Sequence, residues 1–88
     1  MENFKLVIWS ECRGILDIEK EVKLKFNNGK EVFDYIVNNM EDIDEDFLDV
    51  EGDINNDIFN IMIGEERNCM VFRNFEGEVD IDLIMENL

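Results

Sequence analysis

Leu16-Asp17-Ile18-Glu19-Lys20-Glu21-Val22-Lys23-Leu24-Lys25-Phe26-Asn27-Asn28-Gly29 carries the two signals that set the fold class of this chain. Leu16, Ile18, Val22, Leu24 and Phe26 fall on even positions, interrupted by Lys20, while Asp17, Glu19, Glu21, Lys23 and Lys25 fall on odd ones. Period-two alternation predicts a strand with one face on the core and the other in water. Asn27-Asn28-Gly29 ends that strand and opens a helix. Asn28 is placed to accept from the free amides of the first turn, and Glu31, three residues on, completes a variant capping box. Val32, Phe33, Ile36, Val37 and Met40 then follow helical spacing and form one apolar stripe, with Asp34, Tyr35, Asn38 and Asn39 on the outer side.

Upstream, Phe4, Leu6 and Ile8 alternate with Lys5, Val7 and Trp9, and Ser10–Gly14 is turn-like, so residues 4–26 read as a β-hairpin. Downstream, Ile58–Ile63 and Cys69–Phe72 form a second hairpin around residues 64–68. Both runs are apolar on both sides, which suggests central strands. Residues 41–57 are open between two readings. Ile43, Phe47 and Val50 line a short helix face stopped by Gly52, or Phe47–Val50 is a strand. In Phe75–Leu83, Glu76, Glu78, Asp80 and Asp82 alternate with Gly77, Val79, Ile81 and Leu83, which reads as a strand with one acidic face. The alternative is a terminal helix over 79–88. The order β-β-α-acidic connector-β-β-(β or α) predicts a small α+β domain spanning residues 1–88, an antiparallel sheet with one main helix on one face.

Charge is distributed unevenly. The chain has 88 residues and a net charge of −15. Residues 1–30 hold six basic and five acidic side chains, whereas residues 31–88 hold 18 acids against Arg67 and Arg73 alone. Concentrated like charge works against the compact state, so its presence suggests a use, most simply attraction to a basic partner. The 45% apolar content is far above that of chains unable to build a core. The chain has no Pro, His, Ala, Thr or Gln, and Asn and Ile are frequent, a bias that suggests an AT-rich genome such as that of a low-GC bacterium or its phage. No apolar run approaches the roughly 18 residues of a membrane span, and Met1-Glu2-Asn3 lacks a basic leader, so the expected location is cytoplasmic. Cys12 and Cys69 are then expected to be reduced thiols behaving as small buried hydrophobes. An acidic surface repels phosphates, which argues against direct nucleic-acid or membrane binding.

Enzymatic chemistry finds little support. Without His there is no Ser–His or Cys–His dyad, Ser10 is the sole serine, and no carboxylate pair stands out from the crowd. No cofactor is expected. Asp42-x-Asp44-x-Asp46 matches the first three ligand positions of an EF-hand loop, but Phe47 stands where Gly is needed and Asp53 where Glu is needed. Asp53-x-Asn55-x-Asp57 fails in the same way, with Ile58 and Gly64 at those positions. A calcium-binding module is therefore an alternative rather than the leading expectation, and zinc has too few ligands.

The leading expectation is a small acidic inhibitor of a basic nucleic-acid-handling protein. A phage-borne nucleic-acid mimic of the anti-restriction or anti-CRISPR type fits the size, charge and composition. In an extended strand, Glu76, Glu78, Asp80 and Asp82 form a ladder with steps of about 6.6–6.8 Å. That is roughly twice the ~3.4 Å advance of phosphates along one DNA strand. The candidate partner-binding residues are Glu41, Asp42, Asp44, Glu45, Asp46, Asp49, Glu76, Glu78, Asp80 and Asp82, each offering a carboxylate to a Lys or Arg. Tyr35 is a candidate aromatic anchor. The expected assembly is a monomer or a homodimer.

Val32–Met40 followed by Asn60-Ile61-Met62-Ile63-Gly64-Glu65-Glu66-Arg67-Asn68-Cys69-Met70-Val71-Phe72 resembles the helix-then-hairpin segment of some small bacterial toxin-immunity proteins, over less than half of the chain. That resemblance implies the second functional expectation, an immunity protein that neutralises a cognate toxin nuclease.

Overall fold

The opening hairpin extends to the edge of its turn. In the computed structural model, which describes residues 1–39, 48–64 and 66–88, β1 (Glu2–Cys12) and β2 (Ile15–Phe26) are joined by Arg13 and Gly14 alone. Both turn residues have positive φ, 55° and 80°, as a type I′ turn requires. The hairpin is interrupted once. Ile8 pairs with Lys20 and Trp9 with Ile18, leaving Glu19 as an extra residue in β2. Such a bulge inverts side-chain parity along its strand. Leu24 and Phe26 therefore pack on one face of the sheet, and Leu16 and Ile18 on the other. The single core face expected for β2 is corrected in this way, and the break at Lys20 is the trace of the bulge.

The strands β3 (Asp49–Glu51), β4 (Ile58–Met62) and β5 (Arg67–Arg73) complete an antiparallel sheet in the order β2-β1-β5-β4-β3. β5 is central and β4 is interior, as their two-sided apolar runs require. The open reading at Val50 is resolved as a short edge strand. Residues 41–47, and with them Ile43 and Phe47, lie outside the described part of the chain.

Helix α1 (Gly29–Asn39) covers the first face of the sheet, burying Val32 and Ile36 among Phe4, Leu6, Ile8, Phe59, Ile61 and Val71. Its start follows the expected chemistry, displaced by one residue. Asn28 Oδ1 accepts from the Glu31 amide at 3.1 Å, while Glu31 Oε2 accepts from the Asn27 amide at 2.7 Å. Gly29 is required by a close approach. A Cβ there would stand 2.3 Å from the Ile54 carbonyl oxygen. The segment carrying Ile54 is a turn in which the Asp53 carboxylate accepts from the Asn55 amide at 2.8 Å.

The second face is covered too, where one covered face was expected. Val7, Trp9, Met70 and Phe72 pack there against Val79 and Ile84, with Leu16, Ile18, Ile58, Phe75 and Leu83 around them. Residues 74–80 form an irregular crossing, and helix α2 (Ile81–Glu86) follows. This corrects the strand reading of Phe75–Leu83. Asp80 caps the helix by accepting from the Leu83 amide at 2.9 Å, and helical spacing turns Leu83 and Ile84 inward together. Among the described residues, no helix is long and apolar enough to cross a membrane.

Candidate functional site

The carboxylates proposed from sequence divide into three groups. Glu41, Asp42, Asp44, Glu45 and Asp46 lie outside the described residues. Asp49 is exposed on edge strand β3. Glu76, Glu78 and Asp80 are exposed on the irregular crossing, and Asp82 is exposed in the first turn of α2. A regular ladder at alternate-phosphate spacing is thereby excluded for Glu76–Asp82, because the backbone there is not extended strand. Asp80 also serves its own helix as cap, so its carboxylate is only partly free for a partner. Tyr35 is half-buried, with its ring tilted 51° against Phe26 at 6.0 Å, because α1 lies beside the end of β2. It packs on Phe26 and remains partly exposed. The exposed side chains of α1 are Lys30, Asp34, Asn38 and Asn39.

Strand alternation places the two acids of β3 on one side of the sheet. Val50 packs into the core of the first face, so Asp49 and Glu51 project to the second, where α2 lies. Glu51 Oε2 accepts from Asn60 Nδ2 at 3.1 Å, and Asn60 Nδ2 also donates to Asn68 Oδ1 at 3.2 Å. The end of α2 reaches this row. Asn87 and Leu88 share a cleft with Glu51, Ile58, Asn60 and Met70. Glu51 of β3 and the residues after α2 thus border one cleft, whereas Glu76 lies beside Lys23 and Lys25 of β2.

The cations are mostly occupied or set apart. Lys5 is 5% exposed, donates from Nζ to the Gly77 carbonyl, lies 3.0 Å from Glu21 Oε1, and sits 5.4 Å from the Phe75 ring centroid. It pins the acidic crossing to the sheet. Arg73 Nη2 donates to the Ile54 carbonyl at 2.8 Å, and its guanidinium lies over the Phe4 ring and beside Glu2. Arg67 pairs with Glu19 and Lys30 with Asp34. Arg13, Lys20, Lys23 and Lys25 are exposed on the β1–β2 hairpin, at the edge of the sheet opposite β3. These lysines alternate along β2 with exposed Asp17, Glu19 and Glu21, and Glu76 lines a cleft with Lys23 and Lys25, so this edge is mixed in charge while the excess of acid lies in the rest of the chain.

Among the described residues, no group of three or more His, Cys, Asp or Glu is placed to hold a metal ion. The Asp53-x-Asn55-x-Asp57 run is a self-bonded turn, and Asp42–Asp46 falls outside the described residues. Cys69 is buried under α1, and burial pushes its thiol far above the usual range. Cys12 is exposed at the end of β1, against the expectation that both thiols are buried.

Sequence reasoning passed over two residues of this region, Glu51 and Asn60. The signal was present for Asn60, a lone amide in the apolar run Ile58–Ile63, since a polar group in a central strand needs partners. Comparison with protein-family models, with curated proteins and with solved structures finds no match for this chain.

Proposed function

We propose that this chain is a small, non-enzymatic inhibitor that binds a basic nucleic-acid-handling protein and blocks its nucleic-acid site. The observation that supports this reading is the excess of exposed carboxylates on the folded chain. Asp49, Glu51, Glu76, Glu78, Asp80 and Asp82 are exposed on β3 and on the segment covering the second face, while Lys5, Lys30, Arg67 and Arg73 are held in ion pairs among the described residues. Carboxylates pair well with Lys and Arg, and a field of one sign raises association rates about ten- to a thousand-fold. Recognition rests on the charged surface and not on a regular phosphate-like spacing. A phage product aimed at a host nuclease and an immunity protein aimed at a cognate toxin nuclease would use this surface alike, and the captured target distinguishes them.

The test is a pull-down from host lysate at about 0.1 M and about 0.5 M salt, since screening is far stronger at the higher value. One nuclease or nucleic-acid-binding protein should be retained stoichiometrically and displaced by DNA or RNA. Replacing Asp42, Asp44 and Asp46 together by Asn should weaken that complex without unfolding the domain. A heterogeneous set of basic proteins, all lost at the higher salt, would refute the proposal.

A further inference from the structure

An edge strand carries a row of unpaired backbone groups, and the two edges of this sheet are unlike. β3 is three residues long, whereas β2 runs over 12 and, among the described residues, has a strand partner on one side alone. The backbone groups left over on β2 follow from the rest of the sheet. The Asn74 amide donates to the Asn3 carbonyl at 2.7 Å and the Glu11 amide to the Glu66 carbonyl at 3.1 Å, so odd-numbered residues of β1 bond toward β5 and even-numbered ones toward β2. Phe4 and Leu6 pair with Leu24 and Val22. Val22 and Leu24 therefore bond inward, while the amides and carbonyls of Glu21, Lys23 and Lys25 point away from the sheet.

Charge selects what covers this edge. Two copies that each carry −15 repel except at their least acidic surface. β2 is such a surface, because Asp17, Glu19 and Glu21 are balanced by Lys20, Lys23 and Lys25. The acids lie mostly in its first half and the lysines in its second, so an antiparallel copy sets one against the other. Edge lysines and the bulge at Glu19 deter foreign strands. Self-pairing escapes that deterrent, because the same strand supplies the answering acid.

One register satisfies the charges. Two-fold antiparallel pairing keeps each face of the sheet on its own side, so the axis passes through a residue. Along the regular stretch after the bulge, an axis at Lys20, Glu21, Lys23 or Lys25 opposes like charges, and an axis at Leu24 opposes Lys23 to Lys25 twice. At Phe26 the strand ends. An axis at Val22 opposes Val22 to its copy and Glu21 to Lys23 twice, with both charged pairs on the second face.

We propose that two copies of this chain pair antiparallel along β2, about a two-fold axis at Val22, and join their five-stranded sheets into one. The edge is then sealed by main-chain bonds from Glu21 and Lys23, and Glu21, already beside Lys5 of its own chain, gains a second cation.

The experiment is sedimentation equilibrium of the full chain over protein concentrations of about 0.01–1 mM, at about 0.1 M and about 0.5 M salt. The mass should approach twice 10.4 kDa, with more dimer at the higher salt as repulsion between the two acidic bodies is screened. Lys23→Glu turns two attractive pairs into repulsive ones and should weaken the dimer at least about tenfold more than Lys30→Glu, which makes the same charge change on α1. In a Cys12→Ser background, Val22→Cys should oxidise to a covalent dimer, because facing residues that exchange no main-chain bonds stand about 4.5 Å apart at Cα, within disulfide reach. Lys25→Cys should not, since the axis at Val22 separates its two copies by about 20 Å along the strands. A monomer at every concentration and salt, equal effects of Lys23→Glu and Lys30→Glu, or cross-linking of Lys25→Cys as fast as Val22→Cys would overturn the proposal. Salt strengthens this association and weakens capture of a basic partner, so the dimer and the proposed function fail independently.

Discussion

Lys5→Met tests whether one buried ammonium holds the acidic crossing in place. The substitution keeps an unbranched stem of similar length and removes the charge. Three interactions go with it: the bond from Nζ to the Gly77 carbonyl, the 3.0 Å pair with Glu21 and the contact with the Phe75 ring. A hydrogen bond from a charged donor is worth about 1.5–3 kcal/mol. The Glu21 side chain is 36% exposed, so that pair adds at most about 1 kcal/mol after screening. The ring contact adds about 0.5–1 kcal/mol. Against these stands relief of the desolvation of a nearly buried ammonium, which offsets part of the loss. The expected net destabilisation is about 1–3 kcal/mol. At roughly 4–8 °C per kcal/mol for a domain of this size, Tm falls by about 5–20 °C. Urea unfolding reads the change as a lower midpoint at unchanged slope, and hydrogen exchange should rise at Gly77–Val79 before it rises in β5. Stability within about 0.5 kcal/mol of the parent, the usual range for surface substitutions, together with unchanged exchange at Gly77–Val79, would refute the idea that Lys5 is the anchor.

Gly29→Ala should destabilise by about 1–3 kcal/mol, the usual cost of overpacking, although alanine is the better helix former by about 1 kcal/mol; a raised urea midpoint would show that the Ile54 loop yields freely. Arg13→Asn should stabilise by a few tenths to about 1 kcal/mol, because Arg13 sits at φ 55° and Asn-Gly is the preferred type I′ pair; thermal melts decide the sign. In native protein at pH 8, iodoacetamide should modify Cys12 and spare Cys69, with both modified in denaturant; mass spectrometry after digestion reads the sites. The folded thiol of Cys69 ionises at a higher pH than the unfolded one. The native state therefore holds its proton when the unfolded chain has lost it, and stability should fall above about pH 9 by up to about 1.4 kcal/mol per pH unit. Replacing Cys69 by Val should reduce that slope, and an unchanged slope would remove the assignment.

Much of the fold was legible in local pattern. The alternation in β2, the Asn28–Glu31 start of α1 and the two-sided apolar runs of β4 and β5 each follow from residues close in sequence, and the structure contains all of them. The bulge at Glu19 left its mark as the misplaced Lys20, but its consequence, the transfer of Leu16 and Ile18 to the second face, depends on pairing with β1. The Glu76–Asp82 alternation misled for a related reason. Its acids are spaced at two, yet Val79 and Ile84 bury best when the chain crosses the sheet and coils, a gain visible only once Trp9, Met70 and Phe72 present an uncovered surface.

The sequence by itself determined the α+β class, the main helix and its start, the central hairpin and the strongly acidic character. These are properties of hydrophobic period, capping chemistry and composition, all of which act over a few residues. The tertiary structure decided that both faces of the sheet are covered, that Lys5 is buried as an anchor, and that Asn87 and Leu88 share a cleft with Glu51 and Asn60. Lys5 lies 72 residues from its Gly77 partner, and burial of a charge depends on which distant segment comes to cover it. No local pattern encodes that choice, because it is the folded chain's global competition for apolar surface that makes it.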